Sequence, residues 1–356
     1  MQKKIIALAI ASALTAPVMA FADATVFGTA RLSVDRVNDG LANSSSANQL
    51  NSNTTVLGVK GAEDLGDGMS AIWQMAGTVN LDNSGAVALS FNKDTFVGMS
   101  SASMGTLLAG SHDSPYKMAT RKLDLFGDGI ADNRGNQSTS ATFGNASLMG
   151  GTAGHDAGLP KTLLYMSPSM SGFSVAAATV FGAETADANA TKGSLYSLAG
   201  MYAQGPIYAT LAYDTIKFGS GGSGDLGATG GAAVDDKSSA FKVGGSYTMD
   251  AFMLDAVIER ITNTIALGGA ESKGTNLYLG GKFNVSSSDA VKVAFTKRGS
   301  NAVAPATSND AKQYTIGYDH DMSKNTTVYA LYTKLTNNAA NAADPSALSV
   351  GIRHGF

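Results

Sequence analysis

Apolar and polar residues alternate with period two along most of the chain. In "TVFGTARLSVD" (25–35), Val26, Gly28, Ala30, Leu32 and Val34 fall on one face, and Phe27, Thr29, Arg31, Ser33 and Asp35 on the other. "AFKVGGSYT" (240–248) sets Phe241, Val243, Gly245 and Tyr247 against Lys242, Gly244, Ser246 and Thr248. "NLYLGGKF" (276–283) and "VKVAFTKRG" (291–299) read the same way. This is the period of a strand with one apolar face.

The links between these segments alternate in length. Short turns read "LGDG" (65–68), "SASMG" (101–105), "SPSMSG" (167–172), "AQGP" (203–206), "TMDA" (248–251), "SSSD" (286–289) and "SKN" (323–325). Longer polar stretches lie near 38–53, 82–92, 112–160, 184–193, 219–237, 263–273, 299–311 and 337–346. Seven short and eight long links join sixteen strands in an antiparallel meander, with every long loop at one end. An open sheet of that size would leave two unpaired edges. Closure removes them, and lipid demands closure because it cannot satisfy an edge's free N–H and C=O groups. The expected fold is all-β: a transmembrane antiparallel β-barrel with an apolar outside, a polar inside and a lumen wide enough for water. A secreted β-sandwich shares the alternation, but not the strand count or the two-ended loop lengths.

The first residues, "MQKKIIALAIASALTAPVMAFADATVFG", sharpen this picture. Lys3 and Lys4 precede an apolar run, Ile5 to Ala16, that is too short for a membrane helix. Ala20 and Ala22 flank the expected cut, so residues 1–22 read as a cleaved signal peptide and 23–356 as the barrel. Despite export, the 356-residue chain has no cysteine, so no disulfide can stabilise it. Glycine is abundant at 42 residues and tryptophan appears once, a composition short of bulky core residues. The net charge of −3 gives no footprint for nucleic acid.

Reaction chemistry finds little support. His112, His155, His320 and His354 fall on separate segments, and no serine sits in a nucleophile-elbow sequence. No GK[ST] phosphate loop occurs. Asp124, Asp128 and Asp132 lack the ligand spacing of an EF-hand, which leaves calcium a weak reading. No cofactor and no metal are expected.

Five segments together resemble the general porins of Gram-negative outer membranes: "ATVFGTARLSVD" (24–35), "VLGVKGAEDLGDGMSAIWQ" (56–74), "NKDTFVGMSSASMGTLLAGSHDSPY" (92–116), "LLYMSPSMSGFSVAAA" (163–178) and "VGIRHGF" (350–356). Their order and spacing carry the resemblance. It implies long extracellular loops, short periplasmic turns and a homotrimer. It also implies a third loop folded into the lumen, its acidic residues facing a basic wall. "DLFGDG" (124–129) stands where that acidic segment belongs, making Asp124, Asp128 and Asp132 its candidates. Parity and the resemblance together make Arg31, Lys60 and Lys93 the basic wall, across the pore from the loop. Lys93 is read as lumen-facing together with Thr95 and opposite Phe96. Positions 56 and 111, where relatives often carry Arg, hold Val and Ser, which depletes that wall. Lys242, Lys282, Lys292 and Arg353 are read as facing the lumen without a special role. Predicted lumen positions are mostly Thr, Ser, Gly and charged residues.

The expected function is an outer-membrane channel, weakly charge-selective, for passive diffusion of small hydrophilic solutes and ions. The alternatives are a substrate-specific channel for sugars or organic acids, and then a structural or enzymatic barrel. The expected partners are those solutes, outer-membrane lipid and the assembly machinery, for which the resemblance makes Phe356 a terminal signal. Parity places Phe356 and His354 on the lipid side of the last strand, at headgroup depth.

Overall fold

The computed structural model describes residues 24–41, 45–82, 89–134, 148–149, 154–181, 193–219, 236–264, 271–300, 310–338 and 343–356. The proposed signal peptide and the tips of most long loops lie outside these residues. Eighteen strand segments form one sheet: β1 (Thr25–Asn38), β2 (Ala47–Asn51), β3 (Val56–Gly66), β4 (Met69–Val79), β5 (Leu89–Ser90), β6 (Thr95–Ser101), β7 (Gly105–Asp113), β8 (Gly158–Met166), β9 (Phe173–Val180), β10 (Ser194–Gln204), β11 (Ile207–Lys217), β12 (Lys237–Met249), β13 (Phe252–Thr264), β14 (Glu271–Asn284), β15 (Asp289–Arg298), β16 (Ala311–Asp321), β17 (Thr326–Asn337) and β18 (Ser346–Gly355). All the pairings are antiparallel between neighbours, and β18 pairs with β1, so the sheet is a closed barrel.

The eighteen segments make sixteen staves. β2 and β3 both pair with β1 and are pieces of one stave, while β5 and β6 both pair with β4. The stretches 38–53 and 82–92, expected as loops, thus contribute two short strand extensions above a break. All seven short turns fall where the sequence places them, at one end of the barrel.

Exposure alternates along the staves as the pattern requires. Val34, Phe241, Val243, Leu279, Tyr314, Val350 and Ile352 are exposed on the outer face. Ser33, Asp35, Lys242, Asn276, Thr333 and Ser349 are buried on the inner one. Tyr165, Phe173, Tyr247, Phe283, Tyr318 and Phe356 form an exposed aromatic rim at the turn end, as interfacial girdles do.

The closing seam runs from Thr29↔Gly355 to Asn38↔Ser346. Backbone bonds between Gly28 and Phe356, 3.0 and 3.1 Å, extend it to the last residue. A side chain at Gly28 would strike the Phe356 ring, with a Cβ only 2.7 Å from its tip. The Val56 carbonyl oxygen of the neighbouring strand comes closer still, at 2.4 Å, so glycine at 28 admits both that strand and the ring. His354 is exposed on the same face and stacks on Phe356 at 6.5 Å between centroids.

Two expectations are corrected here. Val97 and Met99 are exposed outward, so Thr95 shares the outer face, while Phe96 packs inward beside Leu108 and Leu164. The inner wall there is also not uniformly polar. Ile72, Phe96, Leu108, Leu164, Met166 and Met201 form an apolar patch facing Met118. A long loop that docks on the inside creates a small core where alternation alone predicts water.

Candidate functional site: the inward loop and its charged rim

The segment between β7 and β8 turns into the barrel. Ser114 starts a short helix, α1 (Pro115–Thr120), its Oγ accepting from the Lys117 N–H at 3.0 Å, and Pro115 suits the first turn. A 3-10 turn (Arg121–Leu123) follows. Tyr116, Ala119, Leu123, Phe126 and Ile130 are all buried against the wall. Their spacing of three and four residues gives this loop an apolar stripe. Lys117, Arg121 and Asp128 lie on its other side. This signal was present in the sequence, but the period-two pattern around it drew attention to the strands alone.

The wall is shaped to receive the stripe. Inward-facing glycines on β12, β14 and β16 sit beneath it. A Cβ at Gly244 would come within 2.8 Å of Leu123, one at Gly280 within 3.2 Å of Leu125, and one at Gly317 within 2.7 Å of Phe126. Polar bonds fix the same path. The Tyr116 hydroxyl donates to Glu259 at 2.7 Å, the Tyr208 hydroxyl to the Ala119 carbonyl at 2.6 Å, and the Leu125 N–H to the Tyr278 hydroxyl at 3.0 Å. Lys292 donates to the Leu125 carbonyl at 3.0 Å and pairs with Asp319 at 2.9 Å. Lys242, fully buried, pairs with Asp156 at 2.6 Å and lies 3.8 Å from the centre of the Tyr116 ring. Lys242 and Lys292, expected only to face the lumen, are therefore clamps on the loop.

The loop's returning end is held by His155, whose ring bonds Asp214 at 3.1 Å and Ser238 at 2.8 Å. The three residue types suggest hydrolysis, but all are sealed from solvent. They act as a tether, and the buried tether makes one loop position the favoured one.

The three acidic candidates separate. Asp128 sits at the loop's tip, 3.3 Å from the Arg31 guanidinium, which also donates to the Gly127 carbonyl at 3.1 Å. Asp132 turns into the loop, pairing with Arg134 at 3.0 Å and accepting the Asp128 N–H at 2.7 Å. Asp124 accepts the N–H groups of Phe126 and Asn133 at 3.0 and 3.2 Å. Burial pushes the Asp124 carboxyl up to about 7, aided by the neighbouring Asp132 carboxylate. Burial would also raise Asp132, but Arg134 and the loop's N–H groups outweigh it and hold that carboxyl at about 2. Asp124 and Asp132 therefore shape the loop from within.

The basic candidates separate too. Arg31 does not stand across the pore from the loop; it receives the loop's tip. Lys93 lies in the break between β5 and β6, where its backbone N–H still reaches the Ala76 carbonyl of β4 at 3.1 Å but the regular register is lost. That break lets it join the electrostatic cluster of Lys117, Asp128, Asp113 and Arg121. Lys60 stands apart, 5.2 Å from the Phe27 ring centre. Lys117 and Arg121, which pair with Asp113, are cluster members the sequence reading missed. Asp113, Lys117 and Arg121 recur every fourth residue, the spacing that brings charges together on a helix. Among the described residues no group of acidic or His side chains is arranged to hold a metal ion.

Comparison with known proteins gives a consistent picture. The family described as Gram-negative porin matches residues 7–340. An outer membrane porin of Bordetella pertussis is 27% identical over 334 residues, covering 84% of this chain and 81% of that protein. Outer membrane porin protein 32 of Delftia acidovorans is 26% identical over 379 residues, with both chains covered in full. The solved anion-selective porin from Comamonas acidovorans superimposes with a TM-score of 0.75 at 21% identity, covering 94% of this chain and all of that one.

Proposed function

This chain belongs to the Gram-negative porin family, and from that premise we propose that the charged rim around its inward loop sets a weak preference for anions. The protein is an outer-membrane channel for passive diffusion of small hydrophilic solutes and ions, and porins are channels rather than enzymes. The rim needs no bond-making group. It needs an opening of fixed size and an unequal balance of charge.

The observation that carries the proposal is the composition of the rim. Arg31, Lys93, Lys117 and Arg121 stand against Asp113 and Asp128, with Asp94 beside His112 at its edge. Lys122, exposed on the loop, and Lys60, lower on the wall, add to the basic side. The excess is small and much of it is ion-paired, which favours a modest preference over strict exclusion of cations. The clamped loop supports a fixed opening.

The export signal at 1–22 and the homotrimer belong to the same proposal. So does Phe356 as the mark read by the assembly machinery; its place at the sealed seam supports that reading. The reversal potential in a salt gradient tests selectivity. We expect it to report anions, and Lys60→Glu with Lys93→Glu to move it toward cations. An unmodified protein that reports cations would overturn the assignment.

A further inference from the structure

The docked loop covers only part of the apolar patch on the inner wall. Leu108 and Leu164 are buried. Ile72, Phe96, Met118, Met166 and Met201 pack against them and keep part of their surface open. The neighbours of Ile72 across the ladder, Ala62 and Gly98, are small. Met201 also packs against the cluster of Leu123 and Tyr208, which carries the ledge on beneath the loop. At the other end, Lys60, Gln74 and Phe96 are successive partners across three strands. Phe27 lies beside Lys60 on the inner wall, where a Cβ at Gly58 would come within 2.4 Å of its ring. Three of the six open apolar side chains are methionines, which adapt to ligands of different shape.

Each end of the ledge carries an exposed lysine held over an aromatic face. Lys60 lies 5.2 Å from the Phe27 ring centre and Lys122 3.2 Å from that of Tyr208. Among the described residues neither lysine has a carboxylate partner. The acids nearby are engaged elsewhere. Asp94 accepts the Asp113 N–H at 3.0 Å and lies 3.8 Å from His112, and Asp113 pairs with Lys117 at 2.8 Å. Asp64 accepts the Gly66 N–H at 2.9 Å in its own turn. Asp255, two strands from Tyr208, is only 3% exposed. The ledge is therefore apolar along its length and open to anions at both ends.

We propose that this ledge is a lumen binding site for organic monoanions with an aromatic or branched aliphatic body. The body lies on Ile72, Phe96 and the methionines, and the carboxylate turns to Lys60 or Lys122. The inference rests on the anion preference proposed above, because the basic rim is what brings such solutes in. The ledge then separates them from chloride and from small hydrophilic anions, which gain nothing from apolar surface. A dicarboxylate would leave its second charge over that surface, where desolvation costs it. A neutral apolar solute would forgo the lysine contact.

The test records chloride current through the full chain in a planar bilayer while phenylacetate, acetate or phenylacetamide is added. Phenylacetate should reduce the current at a roughly tenfold lower concentration than acetate, the gain from taking about 55 Å² of apolar surface out of water. Phenylacetamide, with the same ring and no charge, should reduce it little. Met166→Gln/Met201→Gln should bring phenylacetate close to acetate, and Lys122→Gln should weaken phenylacetate several-fold. A heat-modifiable shift at the wild-type temperature certifies the fold of each variant. Met201→Gln alone serves if the double variant does not fold. Equal potency of phenylacetate and acetate overturns the proposal. So does equal potency of phenylacetamide, or undiminished block in the methionine variants. A reversal potential that reports cations, with the advantage of phenylacetate intact, overturns the selectivity of the rim but not the ledge.

Discussion

Arg31 of the first strand and Asp128 at the tip of the inward loop form an ion pair of 3.3 Å that spans 97 positions of sequence. Both side chains remain partly open to the lumen. A pair of that kind holds the tip weakly, by about 0.2–1 kcal/mol, so its main effect is on passing ions. A unit charge about 8 Å from an ion in water changes its energy by about 0.5 kcal/mol, roughly twofold in occupancy. Asp128→Asn should therefore move the reversal potential further toward anions, by a few-fold in permeability ratio. Arg31→Gln should move it the other way. Equal reversal potentials for the two variants would place the pair outside the ion path.

Phe126 and Gly317 make the clearest test of loop docking. Phe126 is 5% exposed and lies on Gly317. Losing a buried Phe costs about 3–5 kcal/mol. Phe126→Ala and Gly317→Leu should both loosen the loop, raising single-channel conductance and open-channel noise. The heat-modifiable shift should stay near the wild-type temperature, because the strand ladder is untouched. Unchanged conductance in both would mean the loop does not set the opening.

The pair Asp124 and Asp132 gives the docked loop a pH dependence with a definite sign. Asp124 titrates at about 7 when the loop is docked, against an ordinary 3.8. A raised carboxyl binds its proton more tightly in the docked state. Docking therefore strengthens as pH falls from about 7 toward about 4, and weakens as pH rises through that window. Asp132, held at about 2, contributes fully above about 4 and is lost only in stronger acid. Open-channel noise should rise as pH is taken from about 4 up to about 7 and level off above it, and Asp124→Asn should flatten that rise. Noise that is level between pH 5 and 8 in the unmodified channel would exclude this role.

Gly28 carries a prediction for assembly. Gly28→Val should press on both the Val56 carbonyl and the Phe356 ring and lower the temperature of the heat-modifiable shift. Phe356→Ala should lower it less, because the two backbone bonds at Gly28 remain. A Gly28→Val barrel as heat-resistant as the wild type would show that the ring's seat on the seam does not matter.

The barrel was legible in the sequence because a closed sheet in lipid leaves little choice. Period-two alternation fixes which side of each strand meets lipid, and the seven short turns fix the register from strand to strand. The same rule failed at Lys93, where the ladder breaks and parity no longer says which way a side chain points. It failed again at Phe96 and Leu108, because it assumes that every inward position meets water. The inward loop carried its own helical signal in Tyr116, Ala119, Leu123, Phe126 and Ile130, yet that spacing does not say which wall the stripe meets.

The sequence by itself determined a closed barrel, its inside and its outside, and the sealing of its last strand against its first. Each follows from local alternation and from the need to pair every backbone group in lipid. Only the tertiary structure decided that Asp128, rather than Asp124 or Asp132, reaches Arg31. Only it decided that Lys242 and Lys292 clamp the loop while Lys117 and Arg121 join the rim. Those assignments depend on where a long loop lands on a curved wall. That landing is set by three inward glycines and a few buried hydrogen bonds between residues far apart in the chain.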